Sequence, residues 1–480
     1  MNVLFAVSEA VPFIKTGGLA DVAGALPKSL VKDGYDVKVV IPKYACCEHL
    51  DEYELVFEGE VDVLLAWRKQ YVGVYSTVVE GVTFYLLDSE YYFAGSKPYG
   101  QIYEDVEKFA FYSKAVFEAC KILNYHPDII HCHDWQAALV PVYLKTLYSE
   151  DPLFAGTKSI FTIHNLLFQG RWILSEVQDK TGLPQWVFEN GDLECYGEGN
   201  LLKGAVLYAD KVTTVSQVYA DEMKTPEGGE GLDSIFRFKG DSFSGIVNGL
   251  DTVEFDPAKD ASLFKNYDVK TFKTGKRENK LKLQKMLGLD EDKDVMLIGM
   301  VSRLSVQKGF DLITYIAEEF LNTSHSQLVF LGSGEENIAN KLCYLSNKYP
   351  GRVSTNVCYS EDLSRKIYAG CDVFLMPSQF EPCGLSQLIS MRYGTIPVVR
   401  ETGGLKETVE PYNEYEKTGR GFSFANYNAH ELLETLRYSQ KIFYDQKKEW
   451  DALVRKDMKL DFSWEASAKE YKKLYDDLIK

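Results

Sequence analysis

Two cations lie close together in the chain and could hold a diphosphate. Arg303 and Lys308 belong to the segment Val301–Gly309, directly after an apolar run typical of a buried strand. A diphosphate needs at least two such charges, most of all when it departs as a leaving group. Surface ion pairing explains one such cation more readily than two at the end of a strand. The pattern predicts a site that binds a diphosphate.

The chain also carries one glycine motif twice, as Thr16–Leu19 and as Thr402–Leu405. Each copy follows a strand candidate and precedes a segment of helical character. Adjacent glycines let a ligand approach the backbone closely, and they aim free N–H groups of a helix start at an anion. Either copy alone could equally be a tight turn. Lys15, just before the first copy, adds a movable positive charge or is simply solvated.

Glu381 is a carboxylate placed where a strand candidate ends. It opens the segment Glu381–Gly384 and precedes a helix expected from Leu385. This position suits recognition of sugar hydroxyls or stabilisation of a developing positive charge. The alternative is a carboxylate that favours the N-terminus of the following helix through the helix dipole. Cys383 is expected to pack rather than to react.

Histidines follow two further strand candidates. His131 and Cys132 would point to opposite faces of a strand, which argues against a metal cluster there. His133 and Asp134 could instead face a ligand as polar sugar contacts, and the pair His164–Asn165 repeats this arrangement. For any single histidine, a role in the core or in capping is the alternative.

These groups must be positioned by an α/β fold. Short apolar runs rich in β-branched residues alternate with amphipathic segments such as Leu19–Leu30, which predicts parallel sheets with helices on both faces. The strand candidates are Val3–Val7, Asp36–Ile41, Ile129–His131, Ser159–Ile163 and Lys211–Val215 in the first half, and Val295–Val301, Gln327–Leu331, Val353–Val357, Val373–Met376 and Ile396–Val399 in the second.

The pattern restarts midway along the chain, which indicates two domains. Asn248 and Gly249 form a turn signal between the two halves. We therefore predict an N-terminal domain at 1–244, a C-terminal domain at 245–460 and a terminal helix at 461–480 that packs on the body of the protein.

Composition limits the possible partners. The 480 residues include 53 Lys and Arg against 70 Asp and Glu, a formal charge of −17. Such a surface repels nucleic acid and anionic membranes, so neither is expected as a partner. The 9 cysteines include no C-x-x-C pair, which argues against a zinc site or a disulfide framework. With no visible leader and no apolar run of about 20 residues, the chain is expected to be cytoplasmic.

Taken in order, the motifs resemble those of one enzyme family. They are Lys15–Val22, His133–Trp135, Thr162–Asn165, Val301–Leu304 with Gln307–Gly309, Glu381–Leu385 and Thr402–Leu405. Together they look like bacterial glycogen synthase and the plant-type starch synthases. The resemblance covers nearly the whole chain, and the motif that starts at Lys15 and the motif Glu381–Leu385 are jointly very specific.

The resemblance implies a GT-B fold: two doubly wound Rossmann-like domains facing a cleft, with a C-terminal helix that crosses back to the N-terminal domain. It implies transfer of glucose from ADP-glucose to the non-reducing 4-OH of an α-1,4-glucan, with retention at the anomeric carbon. The donor and an α-glucan acceptor are then the partners. No cofactor or metal is expected, and the protein would be a monomer or a small homo-oligomer.

The resemblance also assigns roles to individual residues. Arg303 and Lys308 would hold the diphosphate, while Asp134, His164 and Glu381 would line the glucosyl site and complete the catalytic group. The remaining substrate-binding residues would be Lys15, Gly17, Gly18, Asn165, Asn248, Cys383, Gly384, Thr402, Gly403 and Gly404. Position 389 is Ile, where many related transferases have a ribose-binding Glu, so ribose recognition is left unassigned.

Other functions compete with this interpretation. A related GT-B transferase could use UDP-glucose with another acceptor, and the base preference cannot be read from the sequence. A catalytically silent glucan-binding regulator would not need chemically competent residues at every charged position. A glucan phosphorylase would need a lysine for pyridoxal phosphate and usually a longer chain. Hydride transfer is disfavoured because Gly332 and Gly334 form only half of a dinucleotide fingerprint.

Overall fold

The computed structural model describes residues 1–100 and 102–480 of the chain. The chain divides into two compact units. Unit 1 consists of Met1–Gly249 together with Trp464–Lys480, and unit 2 consists of Leu250–Ser463.

The large sheet of unit 1 has the strand order β12-β11-β7-β6-β1-β2-β5-β4-β3. Its strands are parallel except for the β3–β4–β5 meander, which is antiparallel. A small sheet contains β8, β10 and β9. The strands are β1 Asn2–Ala6, β2 Asp36–Pro42, β3 Val56–Leu65, β4 Arg68–Val79, β5 Val82–Asp88, β6 Ile129–His133, β7 Lys158–Ile163, β8 Arg171–Ile173, β9 Glu194–Cys195, β10 Glu198–Asn200, β11 Lys211–Thr214 and β12 Phe243–Gly245.

Helices connect these strands and cover the sheet. The first helix, α1, follows the Gly17 turn and buries an apolar face that includes Leu19, Val22 and Leu26. The helices of this part of the chain are α1 Gly18–Lys32, α2 Glu90–Phe93, α3 Ile102–Ile122, α4 Leu139–Lys145, α5 Leu174–Thr181, α6 Gln185–Glu189, α7 Leu201–Tyr208, α8 Gln217–Met223 and α9 Asp233–Lys239.

Unit 2 has a parallel sheet in the order β15-β14-β13-β16-β17-β18, the 3-2-1-4-5-6 order of a doubly wound Rossmann fold. Its strands are β13 Met296–Val301, β14 Ser326–Gly332, β15 Val353–Val357, β16 Val373–Met376, β17 Ile396–Arg400 and β18 Phe422–Phe424. Its helices are α10 Phe272–Met286, α11 Phe310–Thr323, α12 Glu336–Lys348, α13 Glu361–Gly370, α14 Ser386–Arg392, α15 Gly403–Thr408, α16 Ala429–Asp445 and α17 Lys447–Asp457.

The chain ends in a helix that belongs to unit 1, α18 Trp464–Ile479. Trp464, Tyr471 and Tyr475 are buried in the same apolar cluster as Val3 and Phe5 of β1. The predicted return of the terminal helix to the N-terminal part of the chain is confirmed. Among the described residues, no helix has the length and apolar character needed to cross a membrane.

Strand order fixes where ligands can bind in each unit. In doubly wound sheets the order reverses at a switch point, and ligands bind at the carboxyl ends of the strands on either side of it. The reversal falls between β1 and β6 in unit 1 and between β13 and β16 in unit 2. The loops that follow these four strands are therefore where a ligand is expected to bind.

Candidate active site

In unit 2, Arg303 lies just past the end of β13. Its side chain is exposed and forms no ion pair or hydrogen bond with any other residue that the structure describes. It borders a cavity of about 220 Å³ at the ends of β13, β14 and β15, whose lining also includes Gly332 and Tyr359. The Tyr359 ring is 86% exposed. An unpaired guanidinium and an exposed aromatic side chain therefore line the same cavity.

Lys308 and Glu381 join the two loops at the unit 2 switch point. Lys308 Nζ lies 2.6 Å from Glu381 Oε2, and the Ser378 hydroxyl donates to the same oxygen at 3.1 Å. Both charged side chains are mostly buried. Gly309, at φ 78°, lets the loop after β13 turn tightly against Pro377. Glu381 thus pairs with a lysine and does not cap α14, which begins at Ser386.

The second glycine loop, Thr402–Leu405, packs against the backbone of the Glu381 loop. A Cβ on Gly403 would lie 2.2 Å from the Glu381 carbonyl oxygen, and one on Gly404 would lie 2.0 Å from that of Cys383. The Gly404 N–H donates to the Glu381 and Pro382 carbonyls, both at 3.1 Å. The prediction that this loop aims free N–H groups at an anion is therefore wrong for Gly404, whose N–H already donates to these carbonyls.

The neighbours of this loop are also buried. Thr402 is the residue before α15, and Cys383 lies in the Glu381 loop; both are buried. Gly384 has φ 74°, a conformation that suits glycine. Arg400, at the end of β17, donates from Nε to the Ser378 carbonyl at 2.9 Å and from Nη2 to the Gln379 carbonyl. Sequence reasoning missed Arg400, although a cation three residues before a glycine pair was a usable signal.

In unit 1, the first glycine loop, Thr16–Leu19, is held by a carboxylate. The buried Glu9 accepts hydrogen bonds from the Thr16 backbone N–H at 2.7 Å and from the Thr16 hydroxyl at 2.5 Å. Burial raises the pKa of Glu9, and the hydrogen bonds from Thr16 oppose that rise. Sequence reasoning missed Glu9. Lys15 Nζ pairs with Asp21 Oδ1 at 2.7 Å on the surface.

Asp134 lies across the unit 1 switch point, directly after β6. Its backbone has φ 56°, and its Oδ1 accepts the His164 backbone N–H at 2.7 Å. Burial raises the pKa of Asp134 to about 7, hydrogen bonds from the His164 and Asn165 backbone lower it, and the nearby Glu9 raises it. Asp134, His164 and Asn165 therefore come together at the ends of β6 and β7, as the sequence predicted for polar groups at strand ends.

The neighbouring histidines differ in exposure. His133 is fully buried between His131 and His164, so the expectation that it faces a ligand is wrong. Its position on β6 directs its side chain to the same face as His131, into the core. His164 is half-buried, and burial lowers its pKa to about 3, which keeps its ring neutral near pH 7.

Two further polar residues, Asn248 and Tyr99, belong to unit 1. Asn248 is buried, and its Oδ1 has no hydrogen-bond partner in the described part of the chain. Tyr99, which sequence reasoning missed, shares a 2.8 Å hydrogen bond with Ser8 and lies close to Thr16. Within residues 1–100 and 102–480, no cluster of His, Cys, Asp and Glu has an arrangement suited to a metal ion.

Comparison with known families covers both units. The starch synthase catalytic domain model matches residues 2–238, and the glycosyl transferases group 1 model matches residues 280–448. Glycogen synthases of Lachnospira eligens and Lachnoclostridium phytofermentans are 55% and 49% identical to the chain. Each alignment covers 99% of this chain and 100% of the relative.

Solved structures lead to the same family. The catalytic domain of starch synthase IV from Arabidopsis thaliana, bound to ADP and acarbose, matches with a TM-score of 0.89 and 34% identity, over 100% of this chain and 99% of that chain. Sucrose-phosphate synthase from Thermosynechococcus elongatus matches with a TM-score of 0.61 and 17% identity, over 99% of this chain and 98% of that chain, which shows a shared fold.

The predicted GT-B fold class, with two Rossmann-like units, is confirmed by these matches and by the two doubly wound sheets. The chain is about half identical to these glycogen synthases over its full length, and its N-terminal half matches the starch synthase catalytic domain model. Both findings show that its activity is hexosyl transfer. The chain therefore belongs to the glycogen and starch synthase family and is a hexosyltransferase.

Proposed function

We propose that the chain transfers glucose from ADP-glucose to the non-reducing 4-OH of an α-1,4-glucan, with retention at the anomeric carbon. The observation that carries the proposal is the position of Arg303 and of the Lys308–Glu381 pair in the loops that follow the two strands of the unit 2 switch point. This is where an open α/β sheet binds its ligand. A nucleotide-sugar brings a diphosphate that needs cations and a planar base that needs an apolar surface.

The cavity beside Arg303 suits the nucleoside part of the donor. Its lining is mainly apolar, and the exposed Tyr359 ring offers a face on which a base can stack. Arg303, free of any partner among the described residues, is then available to the diphosphate. The relative starch synthase IV was solved bound to ADP, which supports an adenine nucleotide as the product.

Each unit supplies polar groups that can contact the sugar. In unit 2, Glu381 contacts the glucosyl group. Lys308, which is paired with Glu381, donates hydrogen bonds from its remaining N–H groups to the phosphate. In unit 1, Asp134, His164 and Asn165 offer hydrogen-bonding groups at the ends of β6 and β7. The open space at Gly18 and the charge of Lys15 lie next to the other strand of that switch point.

The reaction is a front-face substitution. The bond between the anomeric carbon and the diphosphate oxygen breaks, and its electron pair leaves with ADP. The glucan 4-OH forms the new bond on the same face and gives its proton to the departing phosphate oxygen. Arg303 and Lys308 stabilise the negative charge that develops on that oxygen, which is the largest contribution asked of the protein. No cofactor takes part, and no metal ion is required.

The acidic net charge of −17 supports a protein without nucleic-acid or membrane partners. The chain acts in the cytoplasm, as a monomer or small homo-oligomer, on the donor and on an α-glucan such as glycogen or a malto-oligosaccharide.

Incorporation of labelled glucose into glycogen tests the proposed reaction. ADP-glucose and UDP-glucose are compared, each with and without a chelator, and the linkage and anomeric configuration of the product are read by NMR. We expect incorporation from ADP-glucose, chelator-resistant and α-1,4-linked. Preference for UDP-glucose would move the chain to a sibling activity, transfer from neither donor would refute catalysis, and loss with chelator would refute the metal-free mechanism.

Arg303→Ala tests the residue that carries the proposal. If Arg303 stabilises the leaving diphosphate, its loss should cost about 2.7–4 kcal/mol of transition-state stabilisation, or roughly 10²–10³ in kcat. Arg277→Ala is the matched control, because Arg277 is an exposed arginine of α10 in the same unit. Turnover of Arg303→Ala close to that of Arg277→Ala would remove Arg303 from the mechanism.

A further inference from the structure

Three imidazole rings connect the terminal helix to the polar groups at the ends of β6 and β7. His131 and His133 stack with ring centroids 4.2 Å apart, and His133 and His164 stack at 5.3 Å. The Phe5 ring stacks on His133 from β1 at 5.3 Å. This imidazole stack, His131–His133–His164, is buried except at its His164 end.

The His131 end of the stack is fixed by hydrogen bonds at both ring nitrogens. Tyr475 of α18 lies 2.7 Å from Nδ1, and the Thr162 hydroxyl lies 2.6 Å from Nε2. Burial raises the pKa of Tyr475 well above its ordinary value, so its hydroxyl keeps its proton. No other described residue accepts that proton, so Tyr475 donates it to Nδ1. The proton of neutral His131 is then on Nε2, where it is donated to Thr162. The other tautomer would reverse both bonds and leave the buried Tyr475 hydroxyl proton without an acceptor among the described residues.

The next ring in the stack, His133, has one hydrogen bond and one unpaired nitrogen. Its Nδ1 lies 3.0 Å from Nε2 of His164, while its own Nε2 is buried without a hydrogen-bond partner among the described residues. Two arrangements satisfy the 3.0 Å contact. Either Nδ1–H of His133 donates and a lone pair on Nε2 is left unused, or His164 donates and an N–H of His133 is buried without an acceptor.

The first arrangement is favoured. Buried N–H groups without an acceptor are rarer in proteins than acceptors that are under-used, because the lost hydrogen bond of a donor is not compensated. Burial lowers the pKa of both rings far enough that neither carries a second proton. His133 is therefore the donor, His164 accepts at Nε2, and the single proton of His164 is on Nδ1. No residue in the described part of the chain hydrogen-bonds to that Nδ1.

We propose that His133 is a positioning residue: its Nδ1–H fixes His164 in the Nδ1–H tautomer, so that His164 offers a sugar hydroxyl a hydrogen-bond donor and not a base. The assignment of a sugar contact to His164 rests on the proposed function, whereas the tautomer itself does not. His131, held by Tyr475 and Thr162, supports the buried face of His133 and keeps its ring in line with His164.

Nitrogen NMR of the unliganded protein tests the tautomers directly. The chain has 7 histidines, so histidine-selective ¹⁵N labelling gives a small set of signals, and His164→Gln identifies those of His164 by their disappearance. We expect protonated Nδ1 in His164 and His133 and protonated Nε2 in His131. A proton on Nε2 of His164 would overturn the proposal. The result needs no substrate, so it can fail while the proposed reaction holds, or hold while that reaction fails.

Two nearly isosteric substitutions test the consequence for catalysis. His133→Asn and His133→Leu leave cavities of similar shape, but only Asn keeps a group that can hydrogen-bond to His164 Nε2. We expect kcat to fall about tenfold in His133→Leu and by less than about threefold in His133→Asn, in line with the loss of one buried hydrogen bond. Equal losses in both variants, or a loss in neither, would contradict a positioning role. If both variants fail to fold, the nitrogen spectra of the unmodified protein still decide.

Discussion

The two glycine loops have the same four residues, yet different physical reasons require their glycines. In the second loop, Cβ atoms on Gly403 and Gly404 would lie 2.2 and 2.0 Å from backbone carbonyl oxygens of the Glu381 loop. In the first loop, a Cβ on Gly17 would make an ordinary 3.6 Å contact with Glu9, and one on Gly18 would meet nothing within 4 Å. Packing within unit 2 explains the second pair, whereas packing within unit 1 does not explain the first.

The loops also differ in what holds them. Backbone carbonyls of Glu381 and Pro382 accept the Gly404 N–H, and such groups do not titrate. The first loop depends on the carboxylate of Glu9, whose pKa is raised by burial and which lies near Asp134. The second loop is therefore part of the scaffold that places Glu381. The first loop leaves open space at Gly18 and is held by a titratable group, the Glu9 carboxyl. A repeated motif need not mean a repeated function.

The largest effect that this comparison predicts is on stability. Gly404→Ala forces a methyl group against the Cys383 carbonyl and should lower the free energy of unfolding of unit 2 by about 3 kcal/mol, the upper end of ordinary overpacking. Urea unfolding followed by circular dichroism measures the change. Lys406→Ala, at an exposed position of α15, is the control for substitution in the same short helix. An unfolding midpoint equal to that of the unmodified protein would show that the loop adjusts freely.

The comparison also shows what the sequence can and cannot predict. Runs such as Val295–Val301 and Val373–Met376 are strands in the structure, because parallel strands buried on both faces need continuous apolar residues. The β3–β4–β5 meander was missed: β3 is largely exposed and has Glu58, Glu60 and Asp62 between its apolar residues, which hides a buried-strand signal. The grouping of Asp134, His164 and Asn165 could be predicted from the sequence, because the carboxyl ends of parallel strands lie at the same edge of the sheet.

Pairings across long sequence separations could not be predicted in this way. The Lys308–Glu381 pair, the carbonyl contacts of Arg400 and the burial of His133 depend on how loops and the terminal helix pack. Periodicity assigns a residue to a face but does not say what covers that face. In unit 1 the cover over His131 is Tyr475, which is 344 residues away in the chain.

A second, smaller effect concerns pH and the titratable side of the comparison. Burial raises the pKa of Asp134 from 3.8 to about 7, so between these values the folded state holds a proton that the unfolded state has lost. The contribution of Asp134 to stability therefore falls as pH rises through this window. Asp134→Asn removes the titration, and its stability relative to the unmodified protein should improve by on the order of 2 kcal/mol between pH 5 and pH 7.5.

Denaturant unfolding at the two pH values checks this prediction. Any effect of the amide on packing or hydrogen bonding is present at both pH values. The test is therefore whether the difference in the free energy of unfolding between Asp134→Asn and the unmodified protein changes from pH 5 to pH 7.5. A difference between Asp134→Asn and the unmodified protein that is the same at pH 5 and pH 7.5 would place the pKa of Asp134 outside this window.

The smallest predicted change in stability is at Gly18. A substitution there tests whether the open space at Gly18 is used by a ligand, since the packing of the fold does not require it. Gly18 opens α1 without a positive φ, and a methyl group there meets no atom within 4 Å, so Gly18→Ala should alter the free energy of unfolding by no more than about 1 kcal/mol, in the stabilising direction. The same methyl group should raise the KM for ADP-glucose about tenfold if the donor approaches this backbone. Lys406→Ala, at a solvent-facing position in the last turn of α15, is a control for substituting an exposed helix residue without closing such a space. An unchanged KM in Gly18→Ala would leave the first loop a simple turn, and its resemblance to the second loop would then be one of sequence alone.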